Sequence, residues 1–195
     1  MAITCNGIYC IEAEWESDFR KRYTMEHILK LVQEADKSNV DFILRTAATG
    51  PSLLFYLRKW CDAAYAKYPI LYLSMHGEPG KFLMENWKRK VKLGDLLDVL
   101  RGQCRGRVLY ISACEVLKKV DLREILKETG ALAVIGYRHG IEWTPGCIVD
   151  YLVLCALARG KLHPRTRLKQ RVLDRVKGVI HPRILKEYGF CMEVS

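Results

Sequence analysis

Two short stretches each end in a side chain able to do chemistry. Residues 71–77 read LYLSMHG and residues 108–114 read VLYISAC. In each, an apolar, aromatic run of strand character stops at a reactive group: the imidazole of His76 or the thiol of Cys114. A thiol attacks a carbonyl only as the thiolate. A neighbouring imidazole can take its proton and later return one to a leaving amine. A cysteine and a histidine at adjacent strand ends are thus the minimum set for acyl transfer. Gly77, directly after the histidine, lets the backbone come close enough for its N–H to point at an oxyanion. The same residues also fit plain packing, because a cysteine after an apolar strand often fills a core and a lone histidine often sits at the surface.

These groups need elements to hold them. Residues 7–15 have the β-branched and aromatic content of a strand, and a charged stretch follows to Arg22. Residues 25–35 place Met25, Ile28, Leu29, Leu31 and Val32 on roughly one helical face. A strand over 41–46, a helix over 52–65 and a strand over 70–75 come next. Lys81–Met84 and Trp87–Val91 read as a small β-hairpin through Glu85-Asn86, followed by a short helix over 95–100. A strand over 107–112, a helix over 121–127 ended by Gly130, and a strand over 131–137 continue the alternation. Thr144-Pro145 reads as the N-cap and first turn of a helix reaching Ala158, and a last helix covers 165–177. Alternating strands and helices predict an α/β fold with a mostly parallel central sheet and helices on both faces. The whole chain, 1–195, is expected to form one domain with a basic helical C-terminal segment over 160–195. In such sheets ligands bind beyond the carboxyl ends of the strands, where His76 and Cys114 fall.

Composition narrows the setting. Half of the 195 residues are hydrophobic and 28% are charged, which suits a sizeable core. No apolar run reaches the ~18 residues of a membrane span. The start of the chain, through Cys5, lacks the charged-then-apolar pattern of a secretory leader. The eight cysteines include no C-x-x-C pair, and several lie inside apolar runs, so free thiols in a reducing, cytoplasmic setting are expected. The formal net charge is +10. Residues 159–186 carry ten Lys or Arg and the single acid Asp174. That run reads first as a solvated helix face. Nucleic acid is a possible partner there, without base stacking, because aromatics are scarce.

The blocks ILYLSMHG (70–77) with Gly80 and FLM (82–84), VKLGDLLDVL (91–100), RVLYISAC (107–114) and GALAVIGYRHGIEW (130–143) together resemble the caspase-like (clan CD) cysteine peptidases, and within them the CHAT family. The resemblance implies a three-layer caspase-like fold and a cysteine endopeptidase working without metal or cofactor. By position, His76 becomes the acid–base and Cys114 the nucleophile. The backbone N–H groups of Gly77 and Cys114 become the oxyanion hole. The caspase block Q-A-C-x-G is not matched, since Ser112 stands for Gln and Val116 for Gly, so cleavage after aspartate is not implied. The implied partners are a protein or peptide substrate and a regulatory protein.

The substrate pocket is expected near Tyr137, Glu142, Trp143 and Asp150. Glu142 or Asp150 could receive a basic side chain. Equally, Glu142 could be solvated and Asp150 paired within the structure. Glu115 would oppose thiolate formation if it faced the sulfur. His139-Gly140 is a rival His-Gly pair, ranked behind His76. Trp15, Trp60 and Trp87 read as packing residues. Two other functions fit the same sequence: a catalytically silent interaction module, and a basic nucleic-acid binder.

Overall fold

A computed structural model describes residues 6–16, 18, 20, 21, 23–35, 40–85 and 87–195. Cys5, Arg22 and the hairpin residue Asn86 lie outside the described residues.

Six strands form the central sheet in the order β2-β1-β3-β7-β8-β9. They are β1 (Ile8–Glu12), β2 (Phe42–Thr46), β3 (Ile70–Ser74), β7 (Val108–Ser112), β8 (Ala133–Tyr137) and β9 (Phe190–Val194). All pairings are parallel except β8 with β9. The inner strands are buried along their whole length, which is why they read as nearly unbroken apolar runs.

Alternation assigns each side chain to a face. Ile8, Cys10, Ile70, Tyr72, Val108, Tyr110, Ala133, Ile135 and Tyr137 join one core. Over it lie α1 (Glu26–Glu34), α5 (Trp143–Ala158) and α6 (Arg165–Lys177). Tyr9, Ile11, Leu71, Leu73, Leu109, Ile111 and Val134 join the second core, under α2 (Gly50–Cys61), α3 (Leu93–Leu100) and α4 (Leu122–Thr129). The result is the three-layer α/β arrangement of a caspase-like fold.

The expected hairpin is present as β5 (Lys81–Met84) and β6 (Arg89–Lys92). It gains a third strand, β4 (Gly77–Glu78), which starts one residue after His76. The small sheet is tied to the main body by Leu83 N–H to His76 O (2.9 Å) and Gly80 N–H to Val116 O (3.2 Å).

Several boundaries move. The helix expected over 52–65 breaks at Cys61, and a separate 3-10 turn covers Ala63–Tyr65. Helix α2 starts earlier, at Gly50, because Thr49 and Ser52 form a capping box. Helix α5 starts at Trp143 with Glu142 as N-cap and no side-chain cap bond. Thr144 is therefore not the cap, and Pro145 is tolerated because first-turn N–H groups have no intrahelical acceptor. Helix α7 (Pro182–Glu187) and β9 were not expected. Strand β9 is only partly buried and runs antiparallel along β8, so it carries no strong apolar signal. It ties the basic C-terminal segment into the main sheet.

Gly136 shows how tightly β7 and β8 approach: an added Cβ would lie 2.4 Å from Ile111 O and 2.6 Å from Leu117 Cδ1. Gly136→Ala is expected to cost about 1–3 kcal/mol. Urea unfolding of the variant beside the parent protein checks this, and equal midpoints would contradict the close approach.

Candidate active site

Strands β3 and β7 are neighbours with Ser74 opposite Ser112, so His76 and Cys114 each lie two residues beyond a register pair. Counting in twos keeps both residues on the α1/α5 side of the sheet. They line one cavity of ≈ 90 Å³ together with Trp15, Met25, Met75 and Ser112, and with Ile141, Glu142, Trp143, Cys147 and Asp150 from the start of α5 and the loop before it.

The imidazole is fixed on three sides. His76 Nε2 lies 2.9 Å from the carbonyl oxygen of Trp15. A carbonyl only accepts, so Nε2 donates to it, and Nδ1 is the ring nitrogen left outside this bond. The ring sits edge-on to Trp15 and Trp87, at centroid distances of 5.0 and 5.1 Å. Both tryptophans, expected as packing residues, thus hold the histidine. Trp60 does pack, fully buried under the sheet. The sheet order explains the role of Trp15: β1 lies beside β3, so the chain leaving β1 passes the end of β3.

Gly77 packs on the cysteine itself. A Cβ there would meet Val116 Cγ2 at 2.5 Å and Cys114 O at 2.6 Å. Only glycine allows this approach. Among the described residues, the Cys114 amide donates to no protein acceptor. The thiol is engaged by the loop before α5: Ile141 N–H donates to Cys114 Sγ at 3.4 Å, and Sγ lies 3.6 Å from Ile141 O. His76 and Cys114 share the cavity, but the sulfur is hydrogen-bonded to Ile141 rather than to the ring.

The neighbours that complicated the sequence reading turn away. The Glu115 carboxylate pairs with Lys118. The His139 ring bonds through Nδ1 to Glu187 O at 2.8 Å and does not line the cavity.

The pocket residues divide. Glu142 and Trp143 line the cavity mouth. Trp143 stacks edge-on with Trp15 at 4.8 Å and with Tyr23 at 5.0 Å. Tyr137 does not line the cavity; it lies fully buried behind it. Asp150 forms the floor and is buried, with its two oxygens taken up internally. Oδ2 accepts from Tyr72 (2.5 Å) and Ser112 (2.6 Å). Oδ1 accepts from Tyr137 (2.7 Å) and from Tyr110. Four hydroxyl donors fill the roughly four acceptor positions of a carboxylate, so Asp150 is paired within the structure. Tyr72 and Tyr110, which sequence reasoning missed, carried a signal: both stand on the alternation that ends in His76 and Cys114.

Burial pushes the Asp150 carboxyl above its ordinary range, against the opposing pull of the four hydroxyls. Burial, followed by the Asp150 charge, likewise holds Tyr72, Tyr110 and Tyr137 well above theirs. Among the described residues no cluster of His, Cys, Asp and Glu could hold a metal ion. The described cysteines, all but Cys5, are free thiols. No helix is long and apolar enough to cross a membrane, among the described residues.

Known proteins place this architecture. The fold is shared with caspases: the crystal structure of caspase-1 from Spodoptera frugiperda aligns with a TM-score of 0.55 at 11% identity, covering 100% of this chain and 88% of that one. By sequence, the chain belongs to a family of unknown function, DUF6642, whose model matches residues 6–156. No curated protein matches the chain.

The raised Asp150 acid gives a signed pH effect. Its unfolded pKa is about 3.9. A folded value above that means the fold binds the proton more tightly. This contribution is fully present below the unfolded value and is lost as pH rises through the folded one. Asp150→Asn removes the titration, so the stability gap between parent and variant is expected to be larger at pH 4 than at pH 8. Urea unfolding at both values reads it, and a gap that widens with pH would reverse the assignment.

Proposed function

We propose that the protein is a cysteine endopeptidase of the CHAT type, acting through a His76–Cys114 dyad in the cytoplasm under the control of a separate protein partner. The observation that carries this is the shared cavity at the ends of β3 and β7, with the His76 ring held through Nε2 by the Trp15 carbonyl and Nδ1 left outside that bond. In the proposed reaction, Nδ1 takes the Cys114 proton and the thiolate attacks the scissile carbonyl. The Gly77 and Cys114 N–H groups receive the oxyanion. The imidazolium then protonates the leaving amine, and a water activated by the same nitrogen hydrolyses the acyl-enzyme.

The cavity at ≈ 90 Å³ has room for a few waters rather than a peptide side chain. Binding substrate therefore requires the Ile141 loop to release the sulfur and swing back, a natural point of control for a partner. Among the described residues the lining carries no Lys or Arg, while Trp15 and Trp143 form its walls and Glu142 its mouth. Among the described residues the buried Trp15 Nε1–H has no acceptor. With Asp150 saturated, Glu142 is the group free to meet a cation. This set disfavours aspartate at the cleaved position. It favours lysine or arginine, whose stem lies on the tryptophans and whose head reaches Glu142.

A silent interaction module is the second reading, favoured by the engagement of Sγ with Ile141 rather than His76. A thiol-directed covalent probe separates the two. Labelling of Cys114 that slows on His76→Ala supports the dyad, and labelling indifferent to His76 supports silence.

On a fluorogenic peptide library, Cys114→Ala is expected to abolish turnover and His76→Ala to lower it about 10³-fold. Peptides with Arg or Lys at the cleaved position are expected to exceed Asp peptides by tenfold or more, roughly the discrimination of ~1.4 kcal/mol. Undiminished turnover in Cys114→Ala would remove the assigned nucleophile.

A further inference from the structure

Helix α6 leaves charge that the peptidase reading does not use. Its apolar side, Leu168, Val172 and Val176, is buried in the first core. The side toward the end of α5 borders two open cavities that share Arg167 and Arg171. One, of ≈ 670 Å³, is lined by Cys155, Ala156 and Gln170 with Arg159, Arg175 and Asp174. The other, of ≈ 750 Å³, is lined by Lys161, His163 and Pro164. Among the described residues they line one trough with Arg159, Lys161, Arg167, Arg171 and Arg175 against the single acid Asp174, Arg159 being bonded to Ala35 O. The Asp174 Oδ1 is taken by Gln170 Nε2 at 2.5 Å. The family match ends at residue 156, so all five cations lie beyond it.

A second observation concerns the guanidinium donors themselves. Arg171 donates Nε–H to Ala156 O (2.8 Å) and Nη1–H to Lys161 O (3.1 Å), closing the end of α5. Its Nη2 is buried with no partner, and so is Arg175 Nε. A buried donor left unpaired costs about 1–3 kcal/mol. Burial also pulls the Arg171 guanidinium below its ordinary pKa. Both arginines line one cavity, and the planar guanidinium fork suits phosphate.

We propose that this trough binds the phosphate backbone of nucleic acid. A single small anion would occupy one cavity, whereas the charge runs through both. Among the described residues no Phe, Tyr or Trp lines either cavity, so bases are not stacked and binding is independent of sequence. Lys161 and Arg167 are exposed and, among the described residues, make no side-chain hydrogen bond or ion pair, so they supply phosphate contacts with the least structural role. The same helix, α5, borders the candidate active site at one end and the trough at the other. Asp150 and Ala156 are six positions apart on it, ~9 Å along its axis.

The test is fluorescence anisotropy with a labelled, mixed-sequence 20-base-pair DNA duplex, across salt from ~50 to ~200 mM. Binding is expected at ~50 mM, with a slope of log K against log salt near −4, as four or five neutralised phosphates would give. The double variant Lys161→Gln/Arg167→Gln is expected to fold normally, bind at least tenfold more weakly and reduce the slope by about two. Arg171→Gln is a second variant, and its unfolding curve reports whether lost binding reflects lost structure. Lys88→Gln/Lys92→Gln, with the same charge change on the hairpin sheet, is expected to bind as the parent does. Polyglutamate of equal charge is expected not to displace the duplex. No binding at ~50 mM salt, equal loss in the hairpin variant, full retention in the α6 variant, or displacement by polyglutamate would each overturn the proposal. The outcome is independent of whether the protein cleaves peptides.

Discussion

One buried carboxylate fastens the helix layer to the sheet at the place where the chemistry would occur. Asp150 projects from α5, a helix apolar on nearly every side, and meets hydroxyls from β3, β7 and β8. Removing a carboxylate from water costs several kcal/mol unless its acceptor positions are filled. Three tyrosines and Ser112 fill them here. The dependence is mutual, because buried hydroxyls need acceptors and Asp150 serves all four, although Tyr72 also reaches the weak acceptor Met25 Sδ at 3.0 Å. Tyr110 and Tyr137 also touch each other, at 2.9 Å between oxygens. The hydroxyls converge only if the strands keep their register and α5 keeps its height above them.

That anchor fixes the cavity. The floor is the Asp150 cluster, and the first turn of α5 supplies Glu142 and Trp143 at the mouth. From the sheet, alternation delivers His76 and Cys114 to the same side as the tyrosines. The remaining support is aromatic: Tyr23, Trp143, Trp15, His76 and Trp87 form a continuous edge-to-face chain across the site. Such pairs contribute about 0.5–1.5 kcal/mol each beyond their buried area. The imidazole is therefore held in a fixed orientation. The thiol is held by Ile141.

The caspase-like architecture does not by itself fix an activity, since one fold serves many chemistries. The weight rests on the site, where the close packing of Gly77 on Cys114 is most specific. A glycine whose absent Cβ is required by the Cys114 carbonyl couples the two motifs directly. The trough beside α6 is a separate matter. It lies on the other end of α5, where Arg171 closes that helix through Ala156 O and Lys161 O.

Much of the central layer was legible in the chain. Residues 70–74, 108–112 and 133–137 announced buried parallel strands by unbroken apolar runs, and the alternation of strands with helices gave the layered class. The position of His76 and Cys114 at strand ends followed from those runs. Strand β9 and helix α7 were not legible, because a half-buried edge strand and a helix of six residues have weak periodicity. The start of α5 was misplaced because Thr144-Pro145 offered a plausible cap that the fold did not use. What remained for tertiary structure was every partnership across long sequence distance. Trp15 meets His76, 61 residues on, and Tyr72 meets Asp150, 78 residues on. A sequence sets which groups can donate, accept or pack locally. Which of them meet depends on strand order, and strand order is decided by the whole core at once.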